Sequence, residues 1–359
     1  MVCRDIFNGL DKINKILIMN GDRDGIDKTF YYLSNSIGGK FGNSAIIATR
    51  ENVKMYVSQL EEEAVEGTGN EIVVCSNKTD MIEKISKELQ GESEVGLNYD
   101  AIPLSTFQLI KETNKGIIFT NVAGNIKKAR AIKSQEELDK IRRAARISID
   151  IYDDFISSLY EGMTEIQAAG KLISMMLLKG ASDSAFSPIV CFGSNSSMPH
   201  HSPSEKKLKI GDFVLTDYGA QFRRYCSDVT RTAVFGRAVR KQREMYDLVY
   251  RAQQESLTLI KDGANGKYVN QRAHEIIDST EYIGKLIHGI GHGIGLYVHD
   301  HEALGNESVE LKENMVITNE PGIYIPKYGG VRIEDDLIVK KDGFELITDK
   351  TPNELIEIS

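Results

Sequence analysis

Six of the seven histidines in this chain fall into two clusters, His200 with His201, then His288, His292, His299 and His301; only His274 stands apart. Imidazole is the side chain best suited to hold a metal or move a proton near neutral pH. The acidic residues around these clusters show a second regularity. Between Leu215 and Thr232, a hairpin that turns around Phe222-Arg223 and pairs Ala220 with Tyr225 sets Asp217 directly opposite Asp228. Further along, Glu320 and Glu334 are equidistant from Lys327, so a hairpin around Pro326-Lys327-Tyr328 makes them partners as well. Like charges facing each other across a strand pair are destabilising unless something positive lies between them. One acidic pair usually marks a solvated turn; two at matching places, beside clustered histidines, point to a binding site.

Four carboxylates and one imidazole form an oxygen-rich donor set suited to two divalent cations, with manganese, cobalt, zinc and iron all compatible. Four negative charges offset the four positive charges of two such ions. Arg332, two residues from Glu334 and so on the same strand face, offers further neutralisation. Ions roughly 3.5–4 Å apart acidify a water between them and clamp both attacking and leaving atoms, which is hydrolase chemistry. The cysteines give no competing site: Cys3, Cys75, Cys191 and Cys226 lie far apart without a C-x-x-C pair. That argues against a disulfide framework or a cysteine-ligated zinc, and reduced thiols fit a cytoplasmic protein.

Elements that could position this site follow from the apolar pattern. A length of 359 residues predicts about two domains. Over residues 1–125, short apolar runs at 16–19, 44–47, 53–57, 72–74 and 117–119 read as strands, and 79–90 and 105–111 as helices, giving a smaller α/β domain. The remainder, 126–359, opens with the capping box Ser134-Gln135-Glu136-Glu137. One amphipathic helix is expected behind it, through Leu138, Ile141, Ala145, Ile149, Tyr152, Ile156 and Leu159. A second starts at Thr164-Glu165-Ile166-Gln167 and ends at Gly180. Strands are predicted over 186–192, 212–220 and 225–235. The same order then recurs: helices over 240–261 and 267–282, then strands near Leu286 and Tyr297 and over 315–325 and 331–340. This predicts an α+β domain with an internal duplication.

Composition excludes other classes. The net charge of −8 argues against nucleic acid as a partner. No apolar run approaches the roughly 20 residues of a membrane span, and Met1 to Leu10 has no signal-peptide core, so neither is expected. The glycines at 289, 291, 293 and 295 do not follow the G-x-G-x-x-G spacing of a dinucleotide loop.

Five segments carry a resemblance: Leu215-Thr216-Asp217-Tyr218-Gly219-Ala220, Ser227-Asp228-Val229-Thr230-Arg231-Thr232, Gly291-His292-Gly293-Ile294-Gly295, Asn319-Glu320-Pro321-Gly322 and Val331-Arg332-Ile333-Glu334-Asp335-Asp336. Together they resemble the pita-bread metallopeptidases, and within them the Xaa-Pro dipeptidases (prolidases) and Xaa-Pro aminopeptidases. Ala185-Phe186-Ser187-Pro188-Ile189-Val190, Gly193-Ser194-Asn195 leading to Pro199-His200, and Arg130-Ala131-Ile132-Lys133-Ser134 add to it. The match covers about 130–359, and the first 125 residues are similar to a creatinase-type amino-terminal domain. The resemblance implies that Asp217 chelates one ion, that Asp228 and Glu334 bridge both, and that His292 and Glu320 complete the other. It also implies that Glu320 handles the proton of the attacking water. His200 and His299 would hydrogen-bond the substrate and the tetrahedral intermediate, with Arg332 either joining them or neutralising Glu334. His201 and His301 are expected to be exposed neighbours, and His288 either packs or supports the site.

The implied reaction is hydrolysis of the bond before proline in Xaa-Pro dipeptides or short peptides, by a homodimer. Two features depart from the family pattern. Tyr297 replaces an acid, and no Lys or Arg occurs between Lys285 and Lys312, where some prolidases carry an arginine for the dipeptide carboxylate. A Xaa-Pro aminopeptidase acting on longer peptides is therefore the main alternative. A metal-free pita-bread enzyme such as a creatine hydrolase, or a non-catalytic binding relative, is disfavoured because all five ligand positions are present.

Overall fold

The computed structural model describes residues 3–22, 25–350, 352 and 354–359. The chain divides into two compact units, Met1–Arg130 and Ala131–Ser359. The boundary expected at residue 125 falls within the helix Ala123–Ala131, so the division comes after that helix's penultimate residue.

The first unit is built on a six-stranded mixed sheet. Its spatial order is Glu71–Cys75, Val53–Ser58, Ala45–Ala48, Ile16–Met19, Glu94–Leu97 and Ile118–Asn121. The central strands, Ile16–Met19 and Ala45–Ala48, are buried at every residue, which explains why they read as unbroken apolar runs. Leu17, Met19, Ile47, Tyr56, Ile85 and Leu97 lie at the centre of its core. The strand Glu94–Leu97 has no apolar run to announce it. Its Gly96 leaves room for the side chains around it: a Cβ there would lie 2.9 Å from Cγ1 of Ile16, its partner on the adjacent strand, and 2.9 Å from Val122 Cγ1.

The second unit repeats one plan twice. Helices Gln135–Asp150 and Glu165–Leu178 cover a sheet ordered Ile356–Ile358, Val229–Phe235, Phe213–Tyr218, Ile189–Phe192. Helices Arg240–Leu257 and Gly266–Asp278 cover a second, ordered His301–Leu304, Gly291–Gly293, Val316–Asn319, Asp335–Lys340, Gly343–Leu346. Both capping boxes form: Ser134 N–H donates to Glu137 at 2.8 Å and Thr164 N–H to Gln167 at 2.9 Å. Gly180 takes the left-handed φ of 98° that closes the second helix. The first helix is shorter than expected. It breaks at Ile151 and resumes over Tyr152–Ile156, where the stiff β-branched run Ile147, Ile149, Ile151 weakens helix propensity. Residues near Leu286 and Tyr297 are loop; the strands Gly291–Gly293 and His301–Leu304 take their place.

Register decides where the acidic residues meet. In the first hairpin, Asp217 pairs with Thr230 and Tyr218 with Val229, so Asp217 and Asp228 are not directly opposite. The turn is Arg223-Arg224, closed by Phe222 pairing with Tyr225; both arginines have positive φ, 48° and 77°. That is the two-residue turn usually announced by Asn-Gly, and it shifts the register by two. Because side chains alternate with period two, an even slip keeps both aspartates on one face, now diagonal to each other. The second hairpin has the expected register. Gly322 pairs with Arg332, and Asn319 with Asp335, which brackets Glu320 and Glu334. Pro321, without an N–H, interrupts the ladder between these pairs. There Glu320 N–H turns to Ile290 O (2.7 Å) and Glu334 N–H to Thr230 O (3.1 Å), so the gap joins the two halves of the unit.

Candidate metal centre

One ligand atom from each of Asp228, His292 and Glu334 lies within 4.8 Å of the other two. His292 Nε2 is 3.7 Å from Asp228 Oδ2 and 3.5 Å from Glu320 Oε1. Asp217 borders this group, with Oδ2 hydrogen-bonded to Arg332 Nη2. All five expected ligands thus line one locality, where the two hairpins meet the strand Gly291–Gly293. Buried within it, Asp217 Oδ1 and Asp228 Oδ1 have no hydrogen-bond partner.

The electrostatics are those of a site built for cations. Burial, then the charges of Glu334, Asp217, Asp336 and Glu320, push the Asp228 carboxyl well above its usual range. Burial, with Glu320 and Asp217 behind it, does the same to Glu334. Glu320 is raised to about 8 by burial, against the opposing pull of Arg332. His292 moves the other way, to about 3, through burial and the neighbouring His299, and is therefore neutral as metal ligation requires. Its Nδ1 lies 3.3 Å from Gly293 O, which places the proton there and leaves Nε2 bare toward two carboxylates. Crowded acids, unpartnered buried oxygens and a neutral imidazole fit divalent cations.

The remaining expected residues distribute as follows. His299 is exposed and stacks on His292, ring centroids 3.8 Å apart. His200 is exposed, and its charge contributes, after burial, to lowering both His288 and His299. Arg332 does not sit on Glu334. Its Nη2 binds Asp217, and it reaches Glu334 through Thr230: Arg332 Nε donates to Thr230 Oγ1 (3.1 Å), which donates to Glu334 Oε2 (2.6 Å). His288 supports the site: its Nδ1–H donates to Gly289 O (2.8 Å), so Nε2 accepts from Tyr324 OH (2.9 Å), which accepts from Arg332 Nη1 (3.0 Å). His201 and His301 are not simple exposed neighbours. His201 Nε2 is 2.8 Å from Glu165. The His301 ring lies across Gly293, where a Cβ would overlap it, and its Nε2 is 3.3 Å from Lys133 Nζ.

Sequence reasoning gave no role to Thr230, Arg231, Tyr324 or Asp335. Arg231 and Asp335 form a buried ion pair at 2.8 Å directly behind Thr230 and Glu334. Its one sequence signal is the position of each charge next to a candidate ligand strand.

Fold and site together define a two-layer, internally duplicated hydrolase scaffold, and the chain belongs to metallopeptidase family M24, whose model matches residues 139–341. The Creatinase/Prolidase N-terminal domain matches residues 11–132. The larger unit accordingly has the pita-bread architecture. Among similar proteins, the Xaa-Pro dipeptidase of Pyrococcus furiosus is 35% identical over 355 residues, 97% of this chain and 99% of that one. The solved Xaa-Pro dipeptidase from Bacillus anthracis has a TM-score of 0.91 at 32% identity, covering 99% of both chains. The X-Pro aminopeptidase from Thermotoga maritima has a TM-score of 0.90 at 30% identity, covering 98% of this chain and 99% of that one.

Proposed function

We propose that this protein hydrolyses the peptide bond preceding proline in Xaa-Pro dipeptides, using two divalent ions held by Asp217, Asp228, His292, Glu320 and Glu334. The observation that carries the reading is the convergence of Asp228, His292 and Glu334 within 4.8 Å, beside buried carboxylate oxygens with no partner. When bound, such an ion pair acidifies water and polarises the scissile carbonyl. The chain's own side chains do the rest. Glu320 accepts the proton that the attacking water loses and returns it to the departing proline nitrogen. His200 and His299, both exposed and the latter stacked on His292, donate hydrogen bonds to the carbonyl oxygen as it gains charge. Arg332, held by Tyr324 and Thr230, keeps Asp217 oriented.

Likeness to both a dipeptidase and an X-Pro aminopeptidase keeps the second reading, cleavage of longer Xaa-Pro peptides. Comparing kcat/KM for a Xaa-Pro dipeptide with that for a Xaa-Pro-Xaa tripeptide separates them; preference for the tripeptide overturns the dipeptidase reading. The same reading carries a homodimer in the cytoplasm, checked by light scattering and cell fractionation. Among the described residues, no helix is long and apolar enough to cross a membrane.

A further inference from the structure

Glu165 is the first residue of the helix Glu165–Leu178, a position where a carboxylate normally faces water. Here it is fully buried. The helix does not need it as a cap, because Thr164 and Gln167 already satisfy one another's backbone donors. Its carboxylate is instead turned onto one neighbouring segment. Oε1 accepts from Phe192 N–H (2.8 Å) and Asn195 Nδ2 (2.9 Å). Oε2 accepts from Ser204 N–H (3.0 Å) and Ser204 Oγ (2.6 Å), and lies 2.8 Å from His201 Nε2. A carboxylate only accepts, so His201 presents Nε2–H to it. Five donors fill its lone pairs. Burial alone would raise this carboxyl, but these bonds, Ser204's first, hold it below its ordinary value.

Every one of those donors belongs to the segment running from Phe192 to Ser204, and the backbone agrees: Ile166 N–H donates to Ser204 O (3.2 Å) and Glu165 N–H to Lys206 O (3.1 Å). Inside the segment lies His200, exposed and adjacent to the anchored His201. We infer that Glu165, acting with His201, is a positioning residue that ties this segment at both ends and so fixes where His200 meets the substrate. The inference rests on the substrate role proposed above for His200. A displacement of about 1 Å can cost about a hundredfold in rate, so a buried charge used as a tether is a physically sufficient device.

The test measures kcat, KM, ion content and melting temperature for E165Q, H201L, H201Q, H200A and E165Q/H200A. Glutamine at 165 turns an NH2 toward donors, which releases at least one end of the segment. E165Q and H201L should each lower kcat by about 10- to 100-fold with little change in KM, while keeping the wild-type ion content. H201Q, which keeps a donor near the Nε2 position, should recover most of what H201L loses. Because the tether works through His200, E165Q should add almost nothing in the H200A background. If H200A is crippled while E165Q or H201L has wild-type kcat, the tether is refuted and the role of His200 survives. Additive losses in E165Q/H200A refute it too, since Glu165 would then act on the fold at large. If E165Q does not fold, H201L against H201Q decides. H200A turning over normally overturns the His200 reading and this inference with it.

Discussion

Replacing Arg231 with methionine should cost about 3–5 kcal/mol of folding stability, while leaving every proposed ligand side chain in place. Arg231 is 3% exposed and bonds to both halves of the larger unit. Its Nη1 donates to Thr230 O (3.0 Å) and Glu334 O (2.5 Å), and its Nη2 to Asp335 Oδ1 (2.8 Å) and Thr348 O (2.9 Å). Removing the cation leaves Asp335, 1% exposed, as an uncompensated buried carboxylate. Asp335 keeps two neutral donors, Thr348 Oγ1 and Gln253 Nε2, both at 2.8 Å, which places the cost toward the lower end of that range. Most of the loss comes from the abandoned charge, so R231M/D335N should regain about 1–2 kcal/mol over R231M; Gln253 can turn its amide over to suit asparagine. Urea unfolding of metal-free protein measures both variants, and the melting temperature of R231M should fall by about 6–20 °C. A cost below about 1 kcal/mol, or a double variant less stable than R231M, would show that the ion pair is not what joins the halves.

Asp228→Asn should bind divalent ions more weakly yet leave the metal-free fold at least as stable as wild type, because Asp228 Oδ1 has no hydrogen bond to lose and four acids repel it; a metal-free variant destabilised by more than about 1 kcal/mol makes that carboxylate structural. His200→Ala and His299→Ala should each lose about a hundred- to a thousandfold in turnover while keeping both ions, whereas His292→Ala should lose an ion; metal analysis beside kinetics checks this, and His299→Ala shedding metal reverses the assignment. His288 is lowered to about 4 by burial from an ordinary 6.5, so below pH 6.5 the unfolded chain takes up a proton that the folded one refuses. Stability should therefore fall as pH drops from 6.5 to 4, by about 3 kcal/mol from this group, and His288→Gln should lack that component; parallel stability curves for the two metal-free proteins would contradict a neutral, buried imidazole.

Local pattern carries some of these features and not others. Glu320 and Glu334 were legible as partners because the strands on both sides of Pro321 share one register about Lys327. The first hairpin was legible only to the correct face: its two-residue turn is made by Arg223 and Arg224 at positive φ, a conformation arginine does not advertise. The capping boxes and Gly180 were legible because each is settled within a few residues. Partners such as Arg332 with Asp217, or Glu165 with His201, bring together residues from separate elements, so spacing along the chain carries no trace of them. The strand Glu94–Leu97 escaped notice because Gly96 is there for close approach rather than for burial of a side chain.

The central claim is that two ions among these five side chains make the catalyst. Its most direct test is to strip the protein of metal, add manganese or cobalt back in steps, and follow hydrolysis of a Xaa-Pro dipeptide against ions bound per chain. The account predicts no turnover without metal, a fold that largely persists, and activity that reaches its plateau at two ions per chain. Full turnover in rigorously metal-free protein, or no proline-specific hydrolysis with both ions bound, would contradict it.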